Sequence, residues 1–206
     1  NSAKPFYARN IAPYSYNTAK AAELLAAAGW KDTNGNGIAD KIIDGQTTEL
    51  DLTLHIGSSA TGRELANSIS TTARSAGINI AVVEKDITVL RDLLQRGEYD
   101  MCSLIATMFP GEVDLYQTHH SKSIGMGNRF NYSNPKGDAL IEAIRTEPDD
   151  AKRNVLYIKL QEFLNDDLPE IILYEPRQRM IVSKRFNSVI SANRPGHYEQ
   201  FFRLIK

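Results

Sequence analysis

Between Leu50 and Gly97 the chain runs twice through one pattern: a short apolar and β-branched run, a helix-length stretch, then a glycine. Residues 50–56 read as a strand, 63–76 as a helix stopped by Gly77, 78–84 as a second strand, and 89–96 as a helix stopped by Gly97. A glycine just past a helix takes up the left-handed conformation that closes it. Strands separated by helices of this length form βαβ units, so they lie parallel with right-handed crossovers. The expected class is therefore α/β, with a central, mostly parallel sheet flanked by helices. Ligands of such sheets gather beyond the carboxyl ends of the strands, which here are residues 55–59, 84–86 and 106–114.

The third of these ends is the richest in chemistry. After Gly97-Glu98-Tyr99-Asp100 comes an apolar strand in which Met101, Leu104 and Ile105 want burial, and then Pro110-Gly111 turns the chain ahead of Glu112 and Asp114. Ordered structure gives way there to a loop carrying two carboxylates. Ala106, Thr107, Met108, Phe109, Glu112 and Asp114 are the candidate ligand contacts. Asn128 and Arg129 join them from the later Gly-rich stretch, where Arg129 could take a ligand carboxylate through two parallel hydrogen bonds or face water or a structural acid.

Around this centre, residues 1–16 place Pro5 and Pro13 among Phe6, Tyr7, Tyr14 and Tyr16, an extended aromatic segment that packs against something. A helix over 18–28 follows, capped by Asn17 or Thr18 and ended by Gly29. Residues 115–134 read as a long loop holding at most one short turn. Helices are expected at 138–145 and 151–164, the second amphipathic through Val155, Leu156, Ile158, Leu160, Phe163 and Leu164 and stopped by Leu168-Pro169. Strands are expected at 170–174, 180–183 and 201–205.

Asp32-Thr33-Asn34-Gly35-Asn36-Gly37-Ile38-Ala39-Asp40 matches the first nine positions of a calcium loop. Side-chain oxygens of Asp32, Asn34, Asn36 and Asp40 and the Ile38 carbonyl could surround a hard cation. Position twelve is Ile43, where an EF-hand has a bidentate Glu, so the site would be weak. The other reading is a polar turn ahead of a hairpin at 42–46.

Several function classes fall away. With 24 Lys and Arg against 25 Asp and Glu, the net charge of −1 offers no footprint for nucleic acid or an anionic membrane. Cys102 is the single cysteine, so an internal disulfide is impossible, and inside an apolar strand it reads as a small core residue. His119-His120 invites a metal, but adjacent side chains project differently and no third ligand is spaced to join them. No nucleophile elbow, His-Glu-x-x-His or phosphate loop is present.

Local phrases in their order then resemble the C-terminal lobe of extracytoplasmic solute-binding proteins of the oligopeptide, dipeptide and nickel type, which serve ABC importers. The matching stretches are Tyr16-Asn17-Thr18-Ala19-Lys20-Ala21-Ala22-Glu23-Leu24-Leu25 through Gly29-Trp30, the 32–40 loop, and Gly97-Glu98-Tyr99-Asp100. Later ones are Asn131-Tyr132-Ser133-Asn134-Pro135 with Asp138 and Leu140, then Arg153, Tyr157, Gln161 and Leu168-Pro169. The resemblance implies a periplasmic-binding-protein-like lobe of type II spanning 1–206, with crossings toward a missing N-terminal lobe near 1–16 and 195–206. It also implies close termini, an exposed apolar face, a periplasmic or extracytoplasmic location with a lipid anchor upstream, and a membrane permease as partner.

In many peptide-binding members the segment after the Gly-x-Tyr-Asp strand carries Gly-Trp, then an Asp that pairs with the ligand ammonium, then an acidic residue and Pro. The corresponding positions here are Ile105-Ala106, Phe109 and Glu112-Val113. Losing the Trp enlarges a pocket, and Phe109 removes a charge partner. The resemblance then implies a blocked, more apolar or differently oriented peptide-like ligand, unless Glu112 or Asp114 takes over the amine. No catalysis and no required cofactor are expected. The alternatives are a ligand-sensing domain of a regulator and a hydrolase using Glu112 and Asp114.

Overall fold

The computed structural model describes residues 5–105 and 114–174. The chain divides into two compact units, one of Pro13–Ile105 and one that joins Asn1–Ala12 to Ala106–Lys206. Each has its own core.

The first unit holds the two βα repeats. Strands β3 (Asp51–Gly57), β4 (Asn79–Lys85) and β5 (Met101–Cys102) form a parallel sheet in the order β4-β3-β5, with β1 (Asp40–Ile43) and β2 (Gln46–Glu49) pairing as an antiparallel hairpin. The register sets Leu54 opposite Val82 on one side and Met101 on the other. Leu54 and Ile56 share one face because strand side chains alternate, and with Ile80 and Ala66 they make the buried core. Helix α2 (Ala60–Arg74) covers that face through Ala66 and the half-buried Ile69 and Ala73.

Helix starts lie earlier than apolar spacing alone predicts, since side-chain caps set them. Ser59 Oγ accepts the Gly62 amide ahead of α2, and Asp86 accepts that of Thr88 ahead of α3 (Ile87–Arg96). Gly97 closes α3 at φ +68°, a left-handed conformation that costs glycine no Cβ clash. In α1 (Thr18–Ala27) the cap is Asn17, whose Oδ1 takes the Lys20 amide at 2.9 Å.

The second unit packs α5 (Pro135–Thr146) against α6 (Asp150–Asp167), burying Ile141, Ile144, Tyr157 and Leu160. Proline starts α5 at its first turn, where a missing N–H costs nothing. Helix α6 stops at Leu168, in the left-handed region at φ 48°, immediately before Pro169. The stretch expected to be a loop contains one turn of helix, α4 (Tyr116–His119), and a 3-10 turn at Ser121–Ser123. Part of the aromatic N-terminal segment docks on α6: Phe6 stacks on Tyr157 at 4.5 Å, and Gln161 bonds the Phe6 carbonyl at 2.6 Å and the Ala8 amide at 3.2 Å.

The strand expected at 170–174 forms no ladder among the described residues, and Ile171, Ile172, Leu173 and Tyr174 are exposed. The strands expected at 180–183 and 201–205 and the crossing at 195–206 lie outside the described residues. No helix among the described residues is long and apolar enough to cross a membrane.

Candidate functional site

Asp114 is the one candidate of the 106–114 loop inside the described residues; Ala106, Thr107, Met108, Phe109 and Glu112 lie outside them. It sits just ahead of α4, where its Oδ1 accepts the Tyr116 amide at 3.0 Å. Its Oδ2 stands 3.3 Å from Arg145 Nε. The Arg145 guanidinium also lies over the Tyr116 ring, 4.3 Å from its centroid. Asp114 and Tyr116, at the start of α4, thereby hold a cation that α5 supplies in its last turn.

That assembly borders a cavity of about 410 Å³ lined by Asp114, Ile144, Arg145, Glu147, Arg153 and Tyr157. Arg153 is fixed by its own turn: Nη1 donates to the Glu147 carbonyl at 2.8 Å and Nη2 to Asp150. Glu147 Oε1 accepts the Asp149 amide at 2.9 Å. The walls thus combine two guanidiniums, two carboxylates and the apolar surfaces of Ile144 and Tyr157.

Asn128 and Arg129 part company. Asn128 is buried, its amide donating to the carbonyls of His120 and Tyr132 at 3.1 and 2.8 Å and its oxygen accepting the Tyr132 amide at 3.2 Å. All its hydrogen-bonding capacity toward those groups goes into shaping the loop ahead of α5. Arg129 is exposed.

The histidine pair turns two ways. His120 stacks on Tyr116 at 4.2 Å, reaches Glu142 Oε1 through Nε2 at 3.1 Å, accepts the Lys122 amide at Nδ1, and has Asp138 at 3.6 Å. His119 meets Phe130 and Thr118, with its Nε2 3.5 Å from Glu170. Glu142 is held below the usual carboxylate range, first by the His120 hydrogen bond and then by Lys122.

The 32–40 loop is knitted by its own amides. Asp32 accepts those of Gly35, Asn36 and Gly37 at 2.7, 3.2 and 2.8 Å, while Asn34 and Asn36 accept those of Asn36 and Ile38. Both Asp40 oxygens go to Thr33, and the Asn34 and Asn36 amides converge on Glu49 of β2. Among the described residues no group of three or more His, Cys, Asp or Glu is arranged to hold a metal ion. Burial pushes the Cys102 thiol up to about 11, so it stays protonated near neutrality, as a core residue would.

Sequence reasoning missed Arg145, Glu147 and Glu49. Each is an ordinary surface charge by its neighbours in the chain; only the distant partners Asp114, Tyr116, Asn34 and Asn36 distinguish Arg145 and Glu49, and only the cavity wall distinguishes Glu147.

The family model described as bacterial extracellular solute-binding proteins, family 5 Middle, matches residues 1–126. The oligopeptide-binding protein AppA of Bacillus subtilis (strain 168) is 27% identical over 176 residues, which are 83% of this chain and 31% of AppA. The AppA structure in complex with a nonapeptide matches with a TM-score of 0.69 over 80% of this chain and 33% of its own. An oligopeptide-binding protein from Thermus thermophilus complexed with a pentapeptide shares the fold at 20% identity, with a TM-score of 0.67 over 80% of this chain and 30% of its own. NikZ from Campylobacter jejuni, in complex with Ni(L-His), does so at 24%, with a TM-score of 0.68 over 80% and 33%. The chain spans about a third of the length of the relatives it matches. These structural neighbours carry the type II periplasmic-binding-protein fold expected from the sequence.

Proposed function

The chain belongs to the bacterial extracellular solute-binding proteins of family 5, and from that membership we propose that it is the C-terminal lobe of the substrate-binding component of an ABC importer. The lobe captures a small peptide-like solute against an N-terminal lobe of the same polypeptide. The observation that carries this reading is the match to AppA, a protein seen with a nonapeptide bound. The receptor works outside the cytoplasmic membrane, held there by a lipid-modified N-terminal region, and passes its ligand to a membrane permease. A ligand that touches both lobes stabilises the closed form alone, so binding and closure are one population shift. No catalytic step is assigned.

In this reading Ala106, Thr107, Met108, Phe109, Glu112 and Asp114 face the ligand, with Arg129 at the edge, and Asn128 acts by holding the loop. Phe109 stands where many members have an ammonium-binding Asp, so affinity depends little on a free ligand amine. Any calcium held by Asp32, Asn34, Asn36, the Ile38 carbonyl and Asp40 is an accessory, weak ligand.

Calorimetric titration of the full-length protein with a pool of random pentapeptides tests the proposal, comparing free with N-acetylated termini. The wild type should bind both about equally, and Phe109→Asp should prefer the free amine by about tenfold. Absence of binding to either pool contradicts the peptide-receptor reading.

A further inference from the structure

The sequence holds two Asn-Gly steps, Asn34-Gly35 and Asn36-Gly37, and they stand back to back in the 32–40 loop. Asn-Gly is the step at which a polypeptide most readily loses a side-chain amide, because glycine has no Cβ to keep its backbone nitrogen away from the preceding side chain. That nitrogen gives up its proton and attacks the Asn Cγ. The N–Cγ bond forms, the Cγ–Nδ2 bond breaks, and the released NH2 group takes up the proton and leaves as ammonia. Water then opens the succinimide ring at either carbonyl, leaving Asp or isoaspartate and one added negative charge.

All four residues are exposed, and a Cβ placed on either glycine would meet nothing within 4 Å beyond its chain neighbours, so neither solvent access nor crowding restrains this chemistry. Hydrogen bonds restrain it instead. The Gly35 nitrogen donates to Asp32 Oδ1 at 2.7 Å and the Gly37 nitrogen to Asp32 Oδ2 at 2.8 Å, so one carboxylate holds both nucleophiles. The electrophiles are held as well: Asn34 Oδ1 accepts the Asn36 amide at 3.0 Å, and Asn36 Oδ1 accepts the Ile38 amide at 2.8 Å. Both leaving groups, the Asn34 and Asn36 Nδ2 atoms, donate to Glu49 Oε1 on β2. A glycine nitrogen attacks only after it leaves Asp32, and ionising it beside that carboxylate would set two like charges together. Both steps therefore wait on a local opening of the same loop.

We propose that residues 34–37 form a tandem deamidation site held shut by Asp32. Each conversion replaces an amide that donates to Glu49 with a carboxylate that repels it, so an opened loop does not close again in the same form. The site is independent of whatever solute the lobe binds.

The test is peptide mapping by mass spectrometry of the full-length protein during incubation at neutral pH, folded and in urea. The folded wild type should convert Asn34 and Asn36 at least about tenfold more slowly than the unfolded chain. Asp32→Ala should raise the folded rate at both steps by about tenfold. Asp32→Asn keeps one acceptor oxygen of the two, so it should release one step by about tenfold and leave the other within about threefold. Asn67-Ser68, exposed on α2, is the internal control and should convert at one rate in all three folded proteins. Where Asn67 also accelerates, that variant has lost more than the loop, and the other Asp32 variant supplies the comparison. A folded wild type that deamidates as fast as the unfolded chain overturns the proposal, as does an unchanged rate at both steps in a folded Asp32 variant.

Discussion

Asn128 and Tyr132 bond each other in both directions: the Asn128 amide donates to the Tyr132 carbonyl at 2.8 Å, and the Asn128 oxygen accepts the Tyr132 backbone N–H at 3.2 Å. A third bond from the same amide reaches the His120 carbonyl. One buried side chain therefore closes the loop between α4 and α5. Replacing it with Ala leaves backbone groups unpaired in the interior, so Asn128→Ala should lose about 2–3 kcal/mol of stability. Urea denaturation measures this; wild-type stability combined with lost ligand affinity would return Asn128 to the role of a direct contact.

Glu142 carries a pH dependence. Its folded-state pKa is depressed below 4.5 by the hydrogen bond from His120 and by Lys122. Its contribution is therefore present above the unfolded value and is lost as pH falls through the folded one. The melting temperature should decline as pH drops below about 4.5, and Glu142→Gln should flatten that part of the decline. Identical slopes for the two proteins from pH 6 to about pH 3 would show that the pair contributes nothing.

Asp32 gathers three backbone amides within a single turn. Asp32→Ala should cost about 0.5–1.5 kcal/mol, because the Gly35 and Gly37 amides lose a charged acceptor at the surface of a loop that shapes the entry to β1, while the Asn36 amide keeps Asn34. Millimolar calcium should raise the wild-type melting temperature by less than about 1 °C relative to a chelator. A rise of several degrees that disappears in Asp32→Ala would establish the cation site instead.

Gly127 has no room for a side chain, since a Cβ there would fall on the Gln117 backbone carbonyl. Backbone cannot swing aside as a side chain can, so Gly127→Ala should cost about 1–3 kcal/mol. Thermal melts of this variant beside Gly125→Ala separate the causes: Gly125 has open space around it but sits at φ +80°, so its cost is one of backbone conformation alone.

The parallel sheet was legible because local and global signals agree there. Apolar strands alternate with helices closed by Gly77 and Gly97, so the local pattern and the overall packing point to the same arrangement. The start of α5 was less legible, since Pro135 reads as a breaker until Asn134 is seen accepting the Lys136 amide. Ile171 to Tyr174 show the opposite case: their strand pattern is strong, yet among the described residues they join no ladder, and local sequence does not name a strand's partner. The cavity was illegible for a related reason. Arg145 acquires its character from Asp114 and Tyr116, about thirty residues away in the chain, whereas the loop at 32–40 invited a metal reading because its oxygens recur at ligand spacing. Those oxygens are equally suited to accepting the loop's own amides, and in this structure they do so.

The central claim, that this chain is the ligand-binding lobe of a peptide receptor, is tested most directly by native mass spectrometry of the full-length protein purified without added ligand. A distribution of co-purifying short peptides is expected, displaced when a synthetic peptide pool is added. A single discrete non-peptide species, or a receptor that stays empty with the pool present, would contradict it.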